Sequence, residues 1–228
     1  MNFNSQVEFR GTFEPNWADE IVKNEPMFFN CDLDFAYTNG GPITREFIEN
    51  LPRDWVNTDP VLDSRVHMLM KNWYPCIPGW HHDDVPRSTS TGQPNYVNPE
   101  YHSEHLMGLV NGHICPTQFA IGQVEVSDPD PTKRQYNVWN SDIEASIDDM
   151  IERMKRDVSF AAPFKVYKAE SGRYIQFDRH AFHTGVKAVA GGWRWFIRLS
   201  RNTERQKSRT NEIRRQVQVY LEEPMAGW

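Results

Sequence analysis

Cysteine is scarce in this chain. Cys31, Cys76 and Cys115 are too few and too scattered for a disulfide framework or a cysteine-built zinc site, which predicts a reducing, cytoplasmic compartment. No apolar run exceeds a few residues, so no stretch is long enough to span a bilayer. The opening Met1-Asn2-Phe3-Asn4-Ser5-Gln6 has neither the basic nor the apolar part of a secretory leader, and none is expected. Internal repeats and low-complexity tracts are missing as well. There is no glycine-rich phosphate loop and no regular strand–helix alternation, which speaks against a nucleotide-binding α/β fold.

The 228 residues that remain suffice for one domain with a substantial core. A hydrophobic fraction of 39% and a mean hydropathy of -0.70 describe a water-soluble protein. The net charge of -6 argues against a surface built throughout for nucleic acid. Its distribution is uneven. Residues 1–60 hold eleven Asp or Glu against four Lys or Arg, whereas residues 194–215 hold eight Lys or Arg against two Glu. The basic stretch reads as a solvated strand and loop, with a polyanion-binding patch as the alternative.

Periodicity gives a mainly β chain with two helices. Asp32 to Tyr37 reads as a short strand closed by Thr38-Asn39-Gly40-Gly41. Pro42 suits the first position of a helix whose apolar face is Ile43, Phe47, Ile48 and Leu51. Ser64 to Tyr74 and Ile114 to Val126 follow strand patterns, and Arg87 to Tyr101 is loop-like in composition and expected to act as a lid, with a passive surface loop as the alternative. Ser141-x-x-Glu144 matches a capping box ahead of Ile143, Ile147, Ile151, Met154 and Val158 at helical spacing. Short strands are expected at Phe164–Tyr167, Arg173–Phe177, Trp193–Leu199 and Val217–Leu221. Many short strands with helices on one sheet point to a sandwich or jelly roll over about residues 64–222, with residues 1–60 packed on it.

The chemistry is concentrated in Trp73-Tyr74-Pro75-Cys76-Ile77-Pro78-Gly79-Trp80-His81-His82-Asp83-Asp84. On an extended chain His81 and Asp83 share one face, and His82 and Asp84 the other. Either pair is two thirds of a 2-His-1-carboxylate set, the donor arrangement that holds non-haem Fe(II) with open positions. His81 with Asp83 is preferred because Gly79 on that face leaves room. The third donor is expected from His180-Ala181-Phe182-His183-Thr184-Gly185, as His183 or alternatively His180. His102-Ser103-Glu104-His105 reads as a polar helix start or loop in preference to a second metal pair, and His67 and His113 as ordinary strand or loop residues. In Trp193-Arg194-Trp195-Phe196-Ile197-Arg198-Leu199-Ser200, Arg194, Phe196 and Arg198 share a face. Two arginines on so apolar a strand need anionic partners, and a guanidinium fork matches a carboxylate.

His81-x-Asp83, a distal His183 and a following Arg194 or Arg198 resemble the pattern of the Fe(II)/2-oxoglutarate-dependent dioxygenase superfamily, over roughly Trp73 to Ser200. The resemblance implies a double-stranded β-helix, the cupin-like jelly roll. It also implies Fe(II) held by His81, Asp83 and His183, with 2-oxoglutarate and O₂ as co-substrates. Arg194 follows His183 at the spacing of the family's co-substrate arginine. Arg198-Leu199-Ser200 matches its Arg-x-Ser variant, which makes Arg198 and Ser200 further co-substrate candidates. Whichever arginine is not used so is free to hold an anionic group of a small-molecule substrate. The carboxylate at Asp83 favours hydroxylation, desaturation or demethylation over halogenation. A modified-base oxygenase of nucleic acid and a cupin-like metal binder without turnover are the two alternatives.

Overall fold

The computed structural model describes residues 1–87, 94–96, 102–126, 136–157 and 164–221, with side chains of the long helix described from Asp142 onward. The strands are β1 (Asn2–Ser5), β2 (Val7–Thr12), β3 (Met27–Phe29), β4 (Val61–Leu69), β5 (Glu104–Val110), β6 (Thr117–Glu125), β7 (Phe164–Lys168), β8 (Arg173–Asp178), β9 (Phe182–Gly185), β10 (Gly192–Arg201) and β11 (Glu212–Arg214). The helices are α1 (Asp19–Asn24), α2 (Leu33–Asn39), α3 (Pro42–Glu49), α4 (Arg53–Val56) and α5 (Tyr136–Arg156). None of the described helices is long and apolar enough to cross a membrane.

One sheet runs in the order β2-β8-β5-β10-β4. In the other, β7 lies along one edge of β6, while β1 and β9 share the opposite edge. The segment at His81 bridges β9 from outside. Count β4, the His81 segment and β5 through β10 as eight strands in chain order. The first then pairs with the eighth, the eighth with the third, and the third with the sixth. In the facing sheet the second pairs with the seventh, the seventh with the fourth, and the fourth with the fifth, all antiparallel. That is the jelly roll. The N-terminal residues are woven into it, since β1 extends one sheet and β2 the other.

Strand alternation divides the side chains among three layers. Outward from the five-stranded sheet, Val66, Leu106, Trp195 and Ile197 pack against Val22, Ala36, Ile43, Phe47 and Trp55 from α1 to α4. Between the sheets lie Met107, Phe119, Ile175 and Phe177, with Phe196 beside them. Beyond the second sheet, Ile143, Ile147 and Met150 of α5 cover Ala120, Val124, Phe164 and Phe182. The expected division of β10 is therefore realised, with Trp195 and Ile197 under the helices and Arg194, Phe196 and Arg198 inside.

Several local expectations differ from the structure. Asp32 does not begin a strand; its carboxylate accepts from the Phe35 backbone N–H at 2.6 Å and caps α2. β4 begins at Val61 and ends at Leu69, and Met68 and Met70 are exposed. Helix α5 starts before Ser141, so the presumed capping box is internal, and Glu144 instead accepts from the Trp80 backbone N–H at 2.8 Å. That bond ties the long helix to the approach of the ligand segment. Val217–Leu221 is no strand; it has an isolated Tyr220–Tyr74 bridge and packs Val219 near Leu69 and Ile114, whereas Glu212–Arg214 pairs with β3. Val158 and most of the expected lid, 88–93 and 97–101, fall outside the described residues.

Candidate metal centre and its cavity

The segment Trp73 to Trp80 is irregular rather than a strand, and the chain pairs with β9 just beyond it, at His81. There the His81 N–H donates to the His183 carbonyl at 3.0 Å and the His183 N–H to the His81 carbonyl at 3.1 Å. This reciprocal pair sets the two imidazoles side by side, with ring centroids 4.4 Å apart. Each ring is fixed in the same way. His81 Nδ1 lies 3.0 Å from the Gly79 carbonyl and His183 Nδ1 lies 3.0 Å from the Ala181 carbonyl. Nδ1 donating to a carbonyl turns Nε2 toward the third donor, the nitrogen through which a metal would be held. Asp83 completes the set, with Oδ2 3.0 Å from His183 Nε2. One donor atom from each of His81, Asp83 and His183 lies within 4.8 Å of the other two.

Gly79 serves this geometry otherwise than expected. Its φ of +113° turns its carbonyl toward His81, a conformation that favours glycine, and a Cβ there would approach Glu144 Oε2 at 3.2 Å. Gly185 admits protein rather than ligand, because a Cβ on it would meet Cys76 Sγ at 2.6 Å.

The neighbouring histidines point elsewhere. His82 is buried on the α5 side, with Nδ1 2.6 Å from the Tyr96 hydroxyl, Nε2 3.1 Å from the His180 carbonyl, and its ring against Phe182. His180 therefore contributes its carbonyl to His82 and is absent from the triad. Asp84 turns to Arg205, 3.5 Å away. Residues Glu104 and His105 belong to β5 rather than to a helix start or loop. His105 Nδ1 is 2.9 Å from Ser200 Oγ, and Ser200 is not among the residues lining the cavity beside the triad.

That cavity, about 470 Å³, is bounded by the triad, Met107, Phe177 and Phe196 and by four arginines. Arg194 is 2% exposed. Its Nη2 donates to Thr117 Oγ1 at 3.1 Å, its Nε has no hydrogen-bond partner, and no described carboxylate pairs with it. A buried cation in that state calls for an anion. Arg198 is committed differently. Its Nη1 is in close contact with Asp83 Oδ2, and its Nη2 lies 3.3 Å from Asp63 Oδ2. Part of the basic stretch is therefore paired within the fold, while Lys207 and Arg215 are exposed. Arg205 pairs with Asp63 at 2.7 Å, Arg201 with Glu104 at 2.6 Å, and Arg209 with Asp59 at 2.8 Å.

Electrostatics follow from this arrangement. Burial opposes the Asp83 charge, but Arg198 and then His183 outweigh it and hold the carboxyl well below the ordinary range. Burial, with His183 beside it, lowers His81 to about 4, so its ring is neutral at physiological pH. Burial also opposes the Arg198 charge, yet Asp83, Asp84 and Asp63 together hold its proton more tightly than usual. Burial lowers Arg194, with no carboxylate acting in the other direction.

Sequence reasoning passed over Asp63 and Arg65 of this cavity and gave its third β4 residue, His67, no role. They stand at alternate positions of β4 and face inward. Polar residues at period two on a strand otherwise suited to a core are the available signal. His67 is not an ordinary strand residue; it is buried, faces Arg194 across the sheet register, and its Nδ1 has no partner.

Comparison of the sequence with protein-family profiles and with curated proteins returns no match. Among solved structures, an N-substituted L-amino acid dioxygenase from Burkholderia ambifaria AMMD, in complex with alpha-KG, is similar at TM-score 0.30 and 16% identity, over 63% of this chain and 49% of that one. A second structure of such a dioxygenase from the same organism gives TM-score 0.33 and 16% identity, over 72% of this chain and 60% of that one. This chain thus spans about half to three fifths of the length of those proteins. Likeness at that level carries no argument about activity, which rests on the site itself: a jelly roll with a 2-His-1-carboxylate seat in its interior.

Proposed function

We propose that this protein is a non-haem Fe(II)- and 2-oxoglutarate-dependent oxygenase that oxidises a C–H bond of a small molecule, most simply by hydroxylation. One observation carries the reading. A 2-His-1-carboxylate set, with Nδ1 of both imidazoles held by backbone carbonyls, shares a cavity with a buried arginine that has no carboxylate partner among the described residues. The donors fit ferrous iron, since two imidazoles and a carboxylate leave coordination positions for small ligands. The lone guanidinium fits the far carboxylate of a dicarboxylic co-substrate. When bound, the iron supplies oxidative decarboxylation of 2-oxoglutarate by O₂, yielding succinate and CO₂ as one oxygen atom enters the substrate C–H bond.

The chain's own residues have separable tasks. His81, Asp83 and His183 hold the metal. Arg194 receives the co-substrate's far carboxylate, and Thr117 fixes its guanidinium plane. Arg198 keeps Asp83 ionised and limits its rotation. Phe177, Phe196 and Met107 exclude water from the cavity. The test is anaerobic titration of the Fe(II) protein with 2-oxoglutarate, read by its visible charge-transfer absorption, followed by O₂ and assay of succinate. Metal binding with neither absorption nor succinate would leave a metal-binding protein without turnover.

A further inference from the structure

The ionised groups around the cavity do not balance. Arg65, Arg194, Arg198 and Arg205 face Asp63, Asp83 and Asp84. Asp63 lies between Arg198 and Arg205, Asp83 meets Arg198, and Asp84 meets Arg205. A ferrous ion and a 2-oxoglutarate dianion cancel each other's charge, and the dianion's far end occupies Arg194. One cation is left over, and it is Arg65.

Arg65 is held in place without being neutralised. Its Nη1 donates to the Phe28 carbonyl at 2.8 Å and the Ser64 carbonyl at 2.7 Å, and it makes no ion pair among the described residues. The backbone thus fixes one nitrogen and leaves the Nε–Nη2 edge to a ligand. Burial lowers its pKa; Asp63 supports the charge, while Arg214, Arg198 and Arg205 oppose it. Its guanidinium lies 5.8 Å from the centre of the Phe29 ring, which Arg214 stacks over at 3.8 Å.

Its location is equally specific. Arg65 lines the inner cavity and also a larger outer groove of about 1300 Å³, which runs between residues 75–81 and 212–218. His67 and His81 share that boundary. The outer groove adds Arg214 and Arg215 against Glu212, so its ionised side chains favour an incoming anion.

We infer that Arg65 anchors the substrate, and that the substrate is an organic monocarboxylate entering by the outer groove with its carboxylate on Arg65 and its reacting carbon toward the triad. The orientation and the choice of Arg65 over Arg194 rest on the oxygenase reading; the unpaired Arg65 guanidinium does not. A single charge matches the surplus of one, and one free guanidinium edge matches the two oxygens of a carboxylate. Phosphate monoesters, as dianions, are disfavoured by the same count.

The experiment uses the full chain loaded with Mn(II) and 2-oxoglutarate under nitrogen. The probes are straight-chain and aryl monocarboxylates, each paired with its primary amide, and one phosphate monoester of matched size. Equilibrium binding is compared in wild type, Arg65→Gln and Arg65→Lys. Wild type is expected to bind carboxylates at least about tenfold tighter than their amides, or about 1.4 kcal/mol. The ratio is expected to fall toward one in Arg65→Gln and to survive in part in Arg65→Lys. A wild-type ratio near one, an undiminished ratio in Arg65→Gln, tighter binding of the phosphate ester, or no binding by any carboxylate would overturn the inference. The same ratio on metal-free protein separates the two readings. If Mn(II) and 2-oxoglutarate fail to bind while the Arg65-dependent ratio persists, the oxygenase reading falls and the anion site stands.

Discussion

Arg194→Met separates the ligand-free protein from the loaded one. In the free protein Arg194 is a buried cation with one hydrogen bond to Thr117 and no counter-charge. Methionine fills similar volume. The variant loses a bond contributing about 1 kcal/mol but no longer buries an unpaired charge. Its stability without ligand should therefore equal or exceed that of wild type. The loaded protein should behave in the opposite way, because the far carboxylate of 2-oxoglutarate loses its charge-assisted partner. Truncating one member of such a pair costs about 2–5 kcal/mol, a rise in Kd of about thirtyfold to several thousandfold. Urea unfolding at fixed Mn(II) with increasing 2-oxoglutarate reads this directly. Wild type at about 100 times its Kd gains about 2.7 kcal/mol. At that concentration the variant, even at the thirtyfold limit, gains about 1 kcal/mol. 2-Oxobutyrate, which lacks the far carboxylate, should bind both proteins alike. Equal stabilisation of both by 2-oxoglutarate, or loss of 2-oxobutyrate binding in the variant, would refute the assignment.

Other outcomes follow from the same contacts. His81→Ala, Asp83→Ala and His183→Ala should each abolish tight metal binding in a folded protein, whereas His82→Ala should lower stability by about 2–3 kcal/mol and leave metal affinity within a few fold, as metal titration and urea unfolding will read. Gly185→Ala should weaken metal binding, because its Cβ would press on Cys76 Sγ from 2.6 Å and displace β9 at His183; unchanged affinity would contradict that. Burial, reinforced by Arg194 at His67 and by Arg198 at His105, lowers these rings from 6.5 to about 3 and about 4 respectively. Between about pH 4 and 6.5 the unfolded chain binds these protons and the folded protein does not. Stability should accordingly fall on acidification from 6.5, by up to about 1.4 kcal/mol per pH unit for each ring, and a flat profile from pH 7 to 5 would be inconsistent with the burial.

The triad was legible because its spacing is chemical as well as structural. His81 and Asp83 come from one extended turn, and His183 has to come from a strand that returns beside it. The inward face of β10 was legible by alternation alone. Partners were not, because Asp63, Asp84 and Glu104 reach the arginines through sheet pairing and loop packing that no local pattern encodes. That is why residues 194–215 read as a solvated basic tract, although Arg198, Arg201, Arg205 and Arg209 are paired with carboxylates from distant elements. Asp32 shows the limit of propensity. Its side chain caps a helix, but the aromatic and β-favouring residues after it resemble a strand until Ala36 and Leu33 are seen against the core. Ser141 erred in the other direction, with a capping motif present in letters but lying inside a helix that begins earlier. The strands β1 and β2 were missed because four- and six-residue edge strands carry too little periodicity.

The reciprocal backbone bonds between His81 and His183 make the metal seat a seam in the sheet. Two of its three donors are spaced by the distance between neighbouring strands, so the seat is a mould whose shape precedes its filling. An ion held there would find two of its donors already aligned by the backbone, at little further cost in ordering entropy.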